Sequence, residues 1–139
     1  MPDLSQTPCI YPTFRYRDPD AMIRWLEALG FRTRAAYRGP DGGVMHAELA
    51  HGASMIMLGA IADDAYGKVV GTEVVPGGKS TYVAVDNADA LFARAEAAGA
   101  EVVEGLVDRS YGSREFILRD PEGNIWSFGT YWPKASDPA

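Results

Sequence analysis

Long apolar runs, cysteine pairs and basic stripes are all missing from this 139-residue chain, and each absence removes a class of protein. Gly or charge interrupts every apolar stretch well short of the roughly 18 residues a membrane-spanning helix needs, so no membrane role is expected. The single cysteine, Cys9, rules out an intrachain disulfide and points to a reducing compartment. Residues 1–9 also lack the apolar core of a signal peptide, and the expected location is the cytoplasm. The formal charge is −6, with no basic stripe carrying interleaved aromatics, which repels phosphate backbones and anionic lipid. Nucleic acid is therefore not an expected partner. What the chain does have is 47% hydrophobic content, enough for a single domain over 1–139 to bury its own core without a metal or disulfide staple.

It also has an internal repeat. Thr13–Phe14–Arg15–Tyr16–Arg17 alternates polar and apolar like a half-buried strand and runs into Asp18–Pro19–Asp20, a helix N-cap followed by proline at the first helical position. Met22, Ile23, Leu26 and Leu29 then give an apolar face at helical spacing, and Gly30 stands where a left-handed cap favours glycine. The same text recurs 69 residues on, the separation of Asp18 and Asn87, with Thr81–Asp86 as the strand and Asn87 as the cap. Asp20, Ala21, Glu27, Ala28 and Gly30 reappear as Asp89, Ala90, Glu96, Ala97 and Gly99, and cap and glycine stand 12 residues apart in both copies. Three strand-like runs follow each glycine: Phe31 to Arg38, Val44 to Leu49 and Ser54 to Leu58, then Glu101 to Glu104, Arg114 to Leu118 and Asn124 to Tyr131. Gly39–Gly43 and Asp120–Asn124 have the chemistry of hairpin turns. Each copy thus reads β–α–β–β–β, with a first module over 9–60, a Gly- and Asp-rich linker over 61–79 and a second module over 80–132.

The residues resemble the glyoxalase/bleomycin-resistance/extradiol-dioxygenase (vicinal oxygen chelate) superfamily along almost the whole chain. The most specific stretch is Arg119–Asp120–Pro121–Glu122–Gly123–Asn124–Ile125–Trp126–Ser127–Phe128, similar to that family's final strand. Tyr16–Arg17–Asp18, Leu29–Gly30–Phe31, His46–Ala47–Glu48–Leu49 and Tyr111–Gly112–Ser113–Arg114 support it. The resemblance implies an α+β fold in which tandem βαβββ modules form a half-open eight-stranded barrel with the ligand site on its concave face. It also implies a homodimer, which covers exposed sheet edges.

Metalloenzymes of that family hold a divalent ion with His or Gln from the first strand of each copy and Glu from near the last, and the metal polarises a bound substrate oxygen. Carried onto this chain, those positions are Tyr11 and Ser80, and Met57 and Ser127. Neither these nor their neighbours Pro12, Thr81, Ile56, Leu58, Trp126 and Phe128 make a ligand set, so neither metal nor other cofactor is expected. His46 and Glu48, two apart on one strand, share a face and have suitable chemistry, but two groups are not a site. A strand histidine hydrogen-bonded to its neighbour is the plainer reading of that pair. Cys9 lacks a positioned base, and Gly42–Gly43 and Gly77–Gly78 read as turns rather than phosphate cradles.

Strand alternation turns Tyr11, Thr13 and Arg15 into the cup and Phe14 and Tyr16 under the helix; in the second copy Ser80, Tyr82 and Ala84 point in, Val83 and Val85 out. Met55, Met57, Ile125 and Ser127 complete the candidate ligand-binding set with His46 and Glu48. Apolar bulk with sparse polar groups suits a small molecule, although the same side chains would serve equally to fill a core. Trp25 and Trp126 are assigned to core. Arg15 needs an acceptor, either a ligand or Glu48. Three functions follow, in order: a metal-free drug- or metabolite-sequestering protein, a metal-free lyase or isomerase using Tyr11, Arg15 or His46 as acid–base groups, and a metal-dependent lyase, isomerase or dioxygenase. The acidic charge favours cationic drugs of the bleomycin kind, and hence a role in antibiotic resistance.

Overall fold

In the computed structural model, residues 3, 7–73 and 75–135 are described; the outer ends of the 1–139 span lie outside them. The chain falls into two units, Met1–Val75 and Pro76–Ala139. The first runs β1 (Thr13–Tyr16), α1 (Pro19–Ala28), β2 (Arg32–Arg38), β3 (Val44–His51), β4 (Ser54–Ala60) and α2 (Ala65–Val70). The second runs β5 (Thr81–Ala84), α3 (Ala88–Ala97), β6 (Glu101–Asp108), β7 (Arg114–Arg119) and β8 (Ile125–Gly129). Each therefore contains a βαβββ module, in an α+β fold.

Both modules close their sheets alike, in the orders β1-β4-β3-β2 and β5-β8-β7-β6. The last strand returns by hairpins to lie parallel beside the first, which the intervening helix makes possible. Thr13 pairs with Met57 and Arg15 with Gly59 in the first sheet; Tyr82 pairs with Ser127 and Ala84 with Gly129 in the second. Thr13 and Tyr82 thus occupy equivalent places, as do Met57 and Ser127.

The helices begin and end where the repeat places them. Asp18 accepts from the Ala21 amide and Asn87 from the Ala90 amide, both at 3.0 Å, which satisfies a donor that the helix leaves unpaired. Gly30 at φ 96° and Gly99 at φ 75° take the left-handed turn that ends each. α1 buries Pro19, Met22 and Leu26 and α3 buries Ala88, Leu91 and Ala95. Under α1 lie Tyr16, Leu49 and Leu58, and under α3 lie Phe116, Phe128, Leu118 and Trp126, all buried. Trp25, by contrast, is only half-buried.

The Asp-Pro-Glu-Gly-Asn run folds into a clamp. The Asp120 carboxylate, 3% exposed, accepts from the Glu122 and Asn124 amides at 2.9 and 3.0 Å and from the Trp126 indole at 3.0 Å. Gly123 at φ 97° closes the turn. The residues most specific to the resemblance therefore act structurally: they fix the entry of β8 and anchor a buried tryptophan.

The 61–79 linker carries a helix that its Gly and Asp content conceals. Asp64 caps α2 through the Gly67 amide at 2.7 Å, and Gly67 is needed because a Cβ there would meet the Ala62 carbonyl oxygen at 1.9 Å.

Candidate functional site

With the helix covering one side of each sheet, the other side holds the side chains free for chemistry. On β1, Phe14 and Tyr16 stack together at 5.7 Å, Tyr16 fully buried, so alternation puts Thr13 and Arg15 on the helix-free side. Met55, Met57, His46 and Glu48, each half-buried, join them from β4 and β3. In the second unit the corresponding side carries Tyr82, Ser127, Ile125, Ile117 and Glu115. Val83 and Val85 are buried on the opposite side, as alternation predicts.

Two candidates stand apart from these faces. Tyr11 precedes β1 and turns its hydroxyl back to donate to the Pro8 carbonyl at 2.8 Å. The ladder starts only at Pro12, whose carbonyl accepts from the Met57 amide at 3.0 Å and whose ring nitrogen has nothing to donate. Ser80 likewise lies exposed before β5. The four positions where the resemblance would put metal ligands thus hold a phenol tied to Pro8, a thioether and two serine hydroxyls. That donor chemistry does not fit a divalent ion. Among the described residues, no three His, Cys, Asp or Glu side chains come together as a possible metal cluster.

His46 Nε2 lies 2.9 Å from Glu48 Oε2, and Glu48 also accepts from Arg34 at 2.7 Å. The His46 hydrogen bond, helped by the Arg34 charge, holds the Glu48 carboxyl below its ordinary range. Tyr37 stacks over the His46 ring at 5.9 Å. Arg15 does not reach Glu48, which Arg34 and His46 already occupy. Its acceptor is Asp64, bound by two prongs at 2.8 and 2.9 Å.

The second unit holds a network that sequence reasoning passed over. Glu115, 6% exposed, accepts from Arg109 Nε at 3.1 Å and from the Tyr111 hydroxyl at 2.7 Å. Burial alone would raise the Glu115 carboxyl; hydrogen bonds from Tyr111, Ser113 and Arg109 outweigh it and leave the group lowered. Arg109 also bridges to Glu104. Tyr82 donates to the Tyr131 carbonyl at 2.6 Å, and burial pushes its phenol up, so it stays a hydrogen-bond donor. A Cβ on Gly129 would stand 2.6 Å from Glu115 Cγ, 2.7 Å from the Tyr82 hydroxyl and 2.9 Å from Ser113 Oγ. Glycine there lets three polar groups converge on the strand. Arg109, Tyr111 and Ser113 sit in the turn between β6 and β7, where strand alternation does not apply, so the available signal was only a polar cluster just ahead of Glu115.

The model of the Glyoxalase/Bleomycin resistance protein/Dioxygenase superfamily matches residues 10–128. The chain belongs to that superfamily. An uncharacterized protein of Mycobacterium bovis is 38% identical over 96 residues, which are 66% of this chain and 61% of that protein, so the match spans less than two thirds of that relative. Among solved structures, TioX from Micromonospora sp. ML1 is 29% identical, with 95% of this chain and 99% of that one covered at a TM-score of 0.66. A glyoxalase/bleomycin resistance protein/dioxygenase family enzyme from Burkholderia phytofirmans PsJN is 25% identical, with 86% and 94% covered at a TM-score of 0.69. The superfamily fold therefore runs from just before β1 to the end of β8, and the departure from the metalloenzyme pattern lies in the side chains the strands present.

Proposed function

We propose that this chain is a metal-free protein of the superfamily that binds and sequesters a small molecule, a drug or a metabolite, on the helix-free faces of its sheets. The observation that carries this reading is the register of Thr13 with Met57 and of Tyr82 with Ser127. Met57 and Ser127 stand where chemistry through a metal would need carboxylate, and Thr13 and Tyr82 lie beside them, so these positions offer apolar bulk and hydroxyls, the mixture that suits ligand binding. Met55 and Met57 adapt to varied shapes, Tyr82 and Ile125 add apolar area, and Thr13 and Ser127 give sparse polar contacts. The reading includes a homodimer and a cytoplasmic location.

A thermal-shift ligand screen, run with and without divalent metals, tests it. Stabilisation by a planar or aromatic compound, equal in both arms, is the expected result. Tyr82→Ala should weaken that binding by about 1–3 kcal/mol, as truncation of a buried aromatic contact does, without loss of the folded state. One bound metal per chain by elemental analysis, with chelation abolishing ligand binding, would overturn it.

The His46–Glu48 hydrogen bond supports a second reading, a metal-free lyase or isomerase in which His46 moves a proton and Glu48, held by Arg34, orients its ring. Turnover lost in His46→Gln while ligand binding persists would favour this over sequestration.

A further inference from the structure

Arg15 stands on the helix-free face of β1 with its side chain 20% exposed, and the partner that satisfies it comes from the chain's own strap. Asp64 Oδ1 and Oδ2 accept from the two terminal nitrogens at 2.8 and 2.9 Å, the Ala62 carbonyl accepts at 3.4 Å, and the Tyr66 ring lies under the guanidinium carbon at 4.9 Å. A two-pronged carboxylate and an aromatic face on one guanidinium is the geometry that recognises an aromatic carboxylate. Here both parts come from two residues of one strap, Asp64 and Tyr66. Asp64 is 51% exposed, so it covers the guanidinium from the solvent side, where an incoming ligand would arrive.

The strap is built to let go. α2 has six residues, too few to stand as an isolated helix. The same Asp64 carboxylate caps it and ties it to β1, so one group secures both.

We propose that Asp64 and Tyr66 are an internal stand-in for an aromatic carboxylate ligand. Such a ligand takes the Arg15 fork, displaces Asp64 and frees α2. The exchange replaces one carboxylate by another, and it runs against the local concentration advantage of a group already on the chain. The net charge of −6 disfavours an anion at long range, which leaves recognition to the short-range fork. This inference rests on the reading of the helix-free faces as ligand surfaces, and supplies the ligand class and a moving part for the first of them.

Naphthoate titrated into the full chain by fluorescence tests the exchange, with naphthol as the ring lacking a carboxylate. Asp64→Asn keeps a helix-capping side chain while losing the competing charge. It should bind naphthoate about tenfold tighter than the parent, because the closed state no longer competes. Arg15→Met should lose naphthoate binding, and naphthol should gain no affinity from Asp64→Asn. In the parent, saturating naphthoate should speed trypsin cleavage after Lys68, inside α2, read by mass spectrometry. Equal naphthoate affinity in parent and Asp64→Asn, binding that survives Arg15→Met, or unchanged Lys68 protection at saturation would each overturn the proposal. A neutral compound whose binding is lost in Tyr82→Ala would leave the sequestration reading standing when this one falls.

Discussion

Asp120 and Glu115 are both buried carboxylates of the second unit, yet their surroundings predict different costs of removal. Asp120 satisfies two turn amides and the indole of a fully buried Trp126. Asp120→Ala strands that indole N–H and should cost on the order of 3 kcal/mol in urea unfolding. Glu115 is held by Arg109, which keeps Glu104, and by Tyr111, a residue exposed enough for its hydroxyl to find water instead. Glu115→Gln should therefore cost less, about 1–2 kcal/mol. Equal losses would mean that burial depth rather than stranded partners sets the cost. Asp64 offers a pH test. The Arg15 hydrogen bond and the Gly67 amide lower its carboxyl to about 2, below the unfolded value near 4. A depressed carboxyl stabilises above its unfolded pKa and loses that contribution as pH falls through its folded one. The Gly67 amide resonance should thus be constant above pH ~4 and titrate with a midpoint near 2. A midpoint near 4 would show that Asp64 is not bound to Arg15 in solution.

At the scale of elements, the helices were legible because their boundaries rest on local chemistry. Asp18 and Asn87 cap, and Gly30 and Gly99 stop, whatever the rest of the chain does. Strand ends were less so. β6 runs to Asp108, well past the expected Glu104, because its register shifts between Val102 and Glu104 and again before Val107, and irregular pairing breaks the alternation by which a strand is read. α2 was invisible for a similar reason: its Gly67 and two valines have poor helical propensity, and the Asp64 bridge to Arg15 on β1 holds it. The candidate site divides the same way. Alternation gave the faces of Thr13, Arg15 and Tyr82, but the acceptor of Arg15 lies 49 residues away and no spacing rule reaches it. Gly129 is the element-scale test. Its φ is not left-handed, so a side chain there is barred by contact with Glu115, Tyr82 and Ser113 rather than by backbone strain. Gly129→Ala should lower stability by about 1–3 kcal/mol, as overpacking does, and an unchanged urea midpoint would show that the network gives way freely.

For the whole molecule, the open question is what covers the sheet edges. β2 and β1 end the first sheet, and β6 and β5 the second. β2 protects itself with Arg32, Arg34 and Arg38 and with breaks in register, both of which deter a further strand. β6 is bulged as well but exposes Val102 and Val103, and β1 and β5 have only four residues each. Each unit also exposes apolar side chains beyond its strands: Ile10 ahead of β1 and Val69 on α2 in the first, Tyr131 and Trp132 after β8 in the second. Apolar area left to water in this way is what a second copy covers, and a two-fold pairing of identical patches does so without leaving a new edge. A homodimer is the expected outcome, with light scattering giving roughly twice the 15.0 kDa chain mass across dilution. Trp132→Ala should shift the protein toward monomer at low concentration without lowering the helical signal. A mass that stays at one chain at every concentration would mean that these side chains face solvent by design, and that a single copy holds the ligand on its own.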